Sequence, residues 1–319
     1  MSISVVIPTY NYGRFLPEAI RSVRQQTVAD REIVEIIVVD DCSTDETPDL
    51  LAAIDDPRLT VIRFEENRGI ADARNAGLER ARGEFVAYLD ADDRWKPDKL
   101  ERQLEVMRAE PSVGLLFTDL ERFDENGRFD KTHFSYVPEL ARMPGRPSEA
   151  GDARIFTSDP FCTLLGLPIF PIMPQTTMVR AEAGRGLHWP DRVRLAEGIR
   201  YFLGLAMRAD VGYLPSPLTE VRRHGRNTFS PGLEISHHVV RQLSKLEDTE
   251  LTTARRAALL HGLGRRWAGI GYLHFWNRRP AAAAAAYFRC LTYPGSRWNA
   301  VKHLALLLTL PFLRRQAQA

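Results

Sequence analysis

The first 120 residues repeat one pattern: a short apolar run, a polar stop, then a segment with helical spacing. Ile3-Ser4-Val5-Val6-Ile7 is ended by Pro8, and Phe15, Ala19, Ile20 and Val23 follow on one helical face. Residues 33–39 form a nearly continuous apolar run that stops at Asp40-Asp41. Thr44 or Asp45 can then cap a helix reaching Leu50 to Ile54. A third strand is expected over 59–64, a helix over 70–81 closed by Gly83, a fourth strand over 85–89, and a helix over 97–109 with Pro97 in its first turn. Strands that do not alternate in polarity are buried on both faces. Alternating with helices, they predict an α/β fold with a mainly parallel central sheet and helices on both sides.

Beyond Phe117 the pattern weakens. Residues 122–134 read as a hairpin turning at Glu125-Asn126-Gly127. Residues 143–159, rich in Pro, Gly and Ser, read as an irregular loop. Strands are expected over 175–180 and 211–223, with a helix over 195–209 between them. After Pro231 the chain turns helical, over about 234–250, 253–276, 280–291 and 296–316, and the alanines at 281–286 are strong helix formers. The expected division is a domain of residues 1–232, with halves 1–110 and 111–232, followed by a helical region of residues 233–319.

Composition is that of an ordinary globular chain, 44% apolar and 26% charged over 319 residues. Cys42, Cys162 and Cys290 are odd in number and far apart, which excludes a disulfide framework or a CxxC zinc site and points to a reducing cytoplasm. No basic segment with an apolar core and cleavage site precedes the first strand, so no secretory signal is expected. The net charge of +2 conceals an asymmetry. Residues 251–319 hold eleven Lys and Arg and no Asp or Glu, leaving 32 basic against 41 acidic residues over 1–250.

In open α/β sheets, ligands bind outside the carboxyl ends of the strands. Here those ends read Pro8-Thr9-Tyr10-Asn11, Asp40-Asp41-Cys42-Ser43 and Asp90-Ala91-Asp92-Asp93. A single acidic pair would be an ordinary solvated loop or a helix cap. Three polar ends facing one crevice form a carboxylate cluster that calls for a cation, and hard oxygen ligands without His or Cys favour Mg2+ or Mn2+ over zinc. There is no G-x-x-x-x-G-K-[ST] loop and no G-x-G-x-x-G after the first strand. Phosphates would therefore be neutralised by a metal and by basic side chains such as Arg68 and Arg74, the metal stabilising charge on a departing phosphate.

Four segments in this order, Val5-Val6-Ile7-Pro8-Thr9-Tyr10-Asn11, Ile37-Val38-Val39-Asp40-Asp41-Cys42-Ser43-Thr44-Asp45, Asn67-Arg68-Gly69-Ile70-Ala71-Asp72-Ala73-Arg74-Asn75-Ala76-Gly77 and Leu89-Asp90-Ala91-Asp92-Asp93, closely resemble family 2 glycosyltransferases of the GT-A fold. The resemblance is strong over residues 1–110 and looser over 170–230. It implies an inverting transfer of a sugar from a nucleotide-diphosphate sugar, UDP foremost, to a hydroxyl of a cell-surface polysaccharide or glycolipid. It also implies a resident Mn2+ or Mg2+. Pro8, Thr9 and Tyr10 would line the nucleoside pocket, Tyr10 near the base. Asp40 or Asp41, with Asp41 favoured, would bond the base or ribose, while Asp45 reads as a helix cap. Arg74 would reach the pyrophosphate or support the metal-binding loop, and Asn75 and Gly77 serve packing as readily as binding. Asp90-Ala91-Asp92 matches the family's D-x-D motif, Asp92 as metal ligand and Asp90 nearer the ribose. Asp93 would cap the next helix, and Trp95 would pack.

The same resemblance places the catalytic base at the start of the helix before the last strands, where the family often carries Glu-Asp or Gly-Asp. This chain has Ala196-Glu197-Gly198, with glycine at the expected Asp. Glu197 is the candidate base and Asp191 the alternative. Arg222-Arg223-His224-Gly225-Arg226-Asn227 resembles the family's Arg-x-His segment, in which His224 would bond the diphosphate or complete the metal shell and Arg223 would offset phosphate charge.

In the basic tail, Trp267, Tyr272, Phe275, Trp276, Tyr287 and Trp298 interleave with the arginines. That composition suits adsorption to an anionic leaflet through residues 251–319, on the inner face of the plasma membrane. A helical bundle with solvated arginines is the plainer reading, and nucleic acid is not expected as a partner. The apolar stretch 304–313 contains Pro311 and is too short to cross a bilayer. Oligomeric state is left open. Two other readings exist: a nucleotidyltransferase, disfavoured by the lack of a glycine-rich triphosphate loop, and a non-catalytic sugar-nucleotide-binding scaffold, for which Gly198 speaks.

Overall fold

A computed structural model describes residues 1–28, 32–193, 195–225, 232–295, 301–302 and 304–305. The chain divides into two compact units, Met1–Asn227 and Thr228–Ala319.

The first unit opens with the expected alternation: β1 (Ile3–Thr9), α1 (Leu16–Arg24), β2 (Ile33–Asp40), α2 (Thr47–Ala52), β3 (Leu59–Arg63), α3 (Ile70–Arg80) and β4 (Phe85–Tyr88). The short β5 (Arg94–Trp95), α4 (Lys99–Ala109), β6 (Val113–Asp124) and β7 (Gly127–Arg128) follow. Next come β8 (Gly145–Pro147), β9 (Arg154–Phe156), α5 (Pro160–Gly166), β10 (Thr177–Arg180), α6 (Ala181–Gly184), α7 (Gly198–Ala206) and β11 (Asp210–Arg222). One sheet results, in the order β3-β2-β1-β4-β10-β6-β11-β9-β8, with β5 on β11 and β7 on β6. Strands β3, β2, β1 and β4 are mutually parallel, β6 and β11 are parallel, and β10 runs antiparallel between β4 and β6. The α/β fold with a mixed, mostly parallel sheet is the one expected.

Both faces of the sheet are covered. Val5, Ile7, Ile36 and Val38 share a core with Leu16, Ala19, Ile20 and Val23 of α1 and with Leu100, Leu104 and Met107 of α4. Successive strand residues point to opposite sides, so Val6 faces the other layer, where α3 lies. Contact there is close: a Cβ on Gly77 would lie 2.3 Å from Val6 Cγ1. Gly77 therefore sets how near α3 approaches the sheet, and α3 carries Arg74 and Asn75.

Several boundaries differ from expectation. Residues 143–159 are not irregular throughout: β8 and β9 pair with each other, and β9 extends the sheet from β11 through Gly212 opposite Ile155. Tertiary pairing overrides a composition poor in strand formers, and a Cβ on Gly212 would meet Ile155 Cδ1 at 2.6 Å. The 122–134 hairpin shrinks to the two residues of β7. The strand at 175–180 begins only at Thr177, after a 3-10 turn at Pro174–Thr176. The helix expected from 195 begins at Gly198, and that from 97 at Lys99. Register shifts in the β6–β11 ladder fall around Pro215 and Pro217, which have no N–H to give.

The second unit contains α8 (Leu233–Ser244), α9 (Thr253–Trp276) and α10 (Pro280–Leu291). The last two match expectation, and α8 stops short of residue 250. Helix α10 seats Tyr287 against Gly271 of α9, where a Cβ would come within 2.6 Å of the ring. Of the helix expected over 296–316, residues 301–302 and 304–305 are helical, and the remainder lies outside the described residues.

Substituting Gly77→Ala sets two effects against each other. Helix propensity alone would add about 1 kcal/mol of stability, whereas forcing a methyl group onto rigid Val6 costs about 1–3 kcal/mol. Overpacking should win, and thermal unfolding followed by circular dichroism should show a lower Tm.

Candidate active site

In a sheet ordered β3-β2-β1-β4, the chain leaves β1 in one direction and returns on its other side at β4. The crevice above the β1/β4 boundary is a topological switch point. Register brings the polar ends together there: Thr9 pairs with Asp40 and Val6 with Tyr88.

The loops after β1 and β2 are tied to each other. Asn11, at a positive φ of 55°, takes hydrogen bonds on Oδ1 from the N–H of Thr44 at 2.7 Å and of Asp45 at 3.3 Å. Its own N–H donates to Ser43 Oγ at 2.9 Å. Asp45 accepts from the N–H groups of Gly13 and Thr47, tying the two loops together, while the N-cap of α2 is Glu46 and not the expected Asp45. Pro8 and Thr9 are interior strand residues, whereas Tyr10 is 44% exposed at the strand end.

Asp40 and Asp41 do not stand open to a ligand. Asp40 is fully buried, accepting from Ser43 N–H and lying 3.4 Å from Arg63 Nε. Asp41 is also buried; its two oxygens accept from Arg68 N–H at 2.7 Å and Gly69 N–H at 2.8 Å. Burial raises its pKa in spite of those two bonds. Both carboxylates hold loop backbone, because folding leaves those N–H groups needing acceptors. Arg68 contributes its backbone here, and its side chain lies over the Phe64 ring.

The centre of the site is Arg74. It is 1% exposed, with Nη2 donating to Asp90 Oδ1 at 2.7 Å and Nη1 to Glu197 Oε1 at 2.5 Å. Its guanidinium lies 4.7 Å from the centroid of the Trp189 ring. Burial works against its charge, but Asp90 and Glu197 more than offset this and raise its pKa. A side chain so enclosed braces the loop after β4 rather than reaching a pyrophosphate. Trp189 is in turn stacked on Tyr201 at 4.5 Å and edge-on to Tyr88 at 5.1 Å. Asn75, one residue along α3, clamps the Trp189 backbone through both its amide groups, at 2.8 and 3.0 Å, and reaches Asp191 Oδ1 at 3.4 Å. Sequence reading left Asn75 undecided; the structure gives it a packing and positioning task.

Glu197 sits immediately before α7, and the preceding Ala196 is held at φ 61°, an unfavourable conformation for a residue with a side chain. At Gly198 the family's frequent Asp would not fit as the chain is packed: a Cβ would lie 2.9 Å from the Phe202 ring and 3.5 Å from Trp189. Asp191 is exposed on the loop that Asn75 holds.

On the other side of Ala91, which is buried in the core rather than facing a nucleotide, Asp92 Oδ2 lies 3.0 Å from His224 Nε2. His224 is stacked on Phe15 at 4.9 Å and edge-on to Tyr12 at 5.8 Å. Burial and the charge of Asp90 raise the pKa of Asp92, with His224 pulling the other way. Asp93 does not cap α4, whose N-cap is Asp98; it is buried and accepts from Gln175 Nε2 at 3.0 Å and from Arg222 N–H at 2.9 Å. Burial, then Asp92 and Asp90, push its pKa well above the usual carboxylate range. Trp95 is packed in the core, as expected. Asn227 and Arg226 lie outside the described residues.

Among the described residues, no group of three or more His, Cys, Asp or Glu side chains is arranged to hold a metal unaided. Asp92 with His224, and Asp90 one residue beyond Ala91, offer a partial shell. Such a shell suits a small divalent ion that keeps waters and takes its remaining ligands from a diphosphate. The donor set fits Mn2+ or Mg2+ on that basis.

Solved structures share this fold. TarS from S. aureus in complex with UDP-GlcNAc aligns with a TM-score of 0.65 at 21% identity, covering 90% of this chain and 81% of that one. A mannosyltransferase from Pyrobaculum calidifontis in complex with GDP-Man and Mn2+ aligns at 0.63 and 21%, covering 97% and 80%. Two sequence relatives share more identity over shorter spans. A putative teichuronic acid biosynthesis glycosyltransferase of Bacillus subtilis is 44% identical over 140 residues, 43% of this chain and 53% of that protein. A succinoglycan biosynthesis protein of Rhizobium meliloti is 42% identical over 143 residues, 44% and 39%. The chain thus matches about half of the first relative's length and less of the second's. The family model described as glycosyl transferase family 2 matches residues 4–164, spanning β1 through α5 and every strand end that builds the crevice; this chain belongs to that family.

Proposed function

We propose that this protein is an inverting glycosyltransferase that moves a sugar from a nucleotide-diphosphate donor, a UDP-sugar foremost, to a hydroxyl of a surface polysaccharide or glycolipid. The observation that carries the reading is the bridge Asp90–Arg74–Glu197, which joins the D-x-D loop to the candidate base through one buried cation. Relatives named for teichuronic acid and succinoglycan biosynthesis support a polysaccharide acceptor, and neighbours solved with UDP-GlcNAc and GDP-Man support a nucleotide-sugar donor.

Tyr10, exposed at the end of β1, would stack on the base, with Thr9 and Pro8 as the floor beneath it. Asp92 and His224, with Asp90 beside them, would hold the metal. When bound, that metal supplies Lewis-acid stabilisation to the departing diphosphate. Glu197 takes the acceptor proton on Oε2, while Oε1 is fixed by Arg74. Fixing one oxygen orients the other, as general-base catalysis requires. A second reading gives the base role to Asp191, favoured by its exposure.

The membrane reading of the tail rests on exposed aromatics beside arginine. Tyr272, Trp276 and Phe288 are 50%, 65% and 60% exposed, and Arg278, Arg279 and Arg289 lie among them in sequence. Among the described residues no helix is long and apolar enough to cross a membrane. Adsorption to an anionic leaflet would bring a lipid-linked acceptor within reach.

Asp92→Ala should lower metal-dependent donor hydrolysis and transfer by roughly a thousandfold, as expected for losing several kcal/mol of charge stabilisation. Retained activity that EDTA does not abolish would remove the metal from the mechanism. Glu197→Gln should reduce kcat by about 10²–10⁴ with UDP affinity unchanged, while Asp191→Asn stays near wild type; the reverse pattern assigns the base to Asp191. Arg74→Ala should cost about 3–5 kcal/mol of stability as well as activity, because it leaves two carboxylates facing each other without their cation. In vesicle co-sedimentation, the intact chain should partition to anionic vesicles over neutral ones, and Tyr272→Ser with Trp276→Ser should weaken that preference. Equal partitioning to both vesicle types would end the membrane reading.

A further inference from the structure

Beside the Asp92–His224 pair stands an ion-pair network that sequence reading did not single out. Glu18, on α1, receives hydrogen bonds from Arg94 Nη1 on one oxygen and from Arg222 Nη2 on the other. Arg94 also pairs with Glu220 at 2.6 Å, and Glu220 with Arg128 at 2.5 Å. Arg222 is the member that reaches the site. Its Nε donates to the Asp92 carbonyl at 3.1 Å and its backbone N–H to Asp93 Oδ1 at 2.9 Å. Its guanidinium lies between two rings, 4.9 Å from the centroid of Phe15 and 4.4 Å from that of Phe123.

This geometry fixes three elements to one another. Arg222 ends β11, and His224 follows two residues later. Phe15, which the Arg222 guanidinium covers at 4.9 Å, is also the ring on which His224 stacks at 4.9 Å. Asp92 and Asp93 are held from the same arginine through main chain and side chain. Glu18 completes the arrangement by engaging the far side of the guanidinium. It is itself a charged partner: burial opposes ionisation, but Arg94 and Arg222 together lower its pKa. A planar guanidinium satisfies a carboxylate and a carbonyl at once with donors fixed in one plane, a rigidity that a lysine ammonium lacks.

We propose that Glu18 and Arg222 are positioning residues that set the separation of Asp92 and His224 for a divalent cation shared with the nucleoside diphosphate. Neither need touch the cation. Each acts through a group that does, as the outer partners of metal ligands do, and loss of such partners typically weakens metal affinity 10–100-fold. The proposal rests on the metal-dependent reading given above.

The test measures Mn2+ binding to the full-length protein in the presence of UDP, by calorimetry or by the electron paramagnetic resonance signal of free Mn2+. Wild type is compared with Glu18→Gln and Arg222→Met. Glu18→Gln keeps the shape of the side chain while removing its charge and one of its two acceptors, so it serves if Arg222→Met fails to fold. Both variants should raise the Mn2+ Kd by about tenfold or more, with Glu18→Asp recovering part of the loss. Half-saturation of transfer by Mn2+ should move in parallel, and kcat at saturating Mn2+ should fall less. A purely structural role would lower Tm but leave the Mn2+ Kd unmoved, and that outcome overturns the proposal. If wild type itself binds no Mn2+ with UDP, the metal reading fails instead.

Discussion

A positive charge with almost no access to water organises this site. Arg74 is enclosed by Trp189 and two carboxylates, one from the loop after β4 and one from the residue before α7. An isolated buried cation would be very costly, and its attraction to Asp90 and Glu197 compensates only while both remain in place. The three groups therefore constrain each other. The loop carrying the acidic motif cannot drift from the candidate base without leaving a buried charge short of a carboxylate. Arg74 is itself placed by α3, whose approach to the sheet is set by Gly77 against Val6.

A second layer secures that arrangement. Trp189 stacks on Tyr201, meets Tyr88 edge-on, and has its backbone clamped by Asn75. On the opposite flank, Arg222 ties Asp92 and Asp93 to α1 through Glu18. The acidic loop is thus held from both sides by arginines, one buried and one sandwiched between phenylalanines. Carboxylates that would otherwise repel are kept close, which is the condition for gathering a divalent cation.

Much of this was legible in the sequence because the physics is local. Apolar runs without alternation announce buried strands, and polar residues at their carboxyl ends announce the crevice. The pairing of Asp92 with His224 follows from two short motifs. What sequence could not show is which carboxylates face inward. Asp40 and Asp41 look like ligands in a string of letters, yet the fold turns them toward backbone N–H groups of neighbouring loops. Ala91 and Asp93 likewise point into the core. The pairing of Glu18 with Arg222 joins positions about 200 residues apart and has no spacing signal, and the β8–β9 hairpin is completed by the edge that β11 offers.

The packing at Gly198 bears on how such an enzyme changes over generations. Phe202 closes the space that an aspartate side chain would enter, at 2.9 Å from where its Cβ would stand, and Trp189 lies in contact beside it at 3.5 Å. An aspartate cannot return at 198 by one substitution; the aromatic side chain at 202 has to shrink or turn first. The two positions are coupled, so their effects will not add. The choice of side chain at 198 is thus restricted by its aromatic neighbours, independently of any selection on the reaction itself.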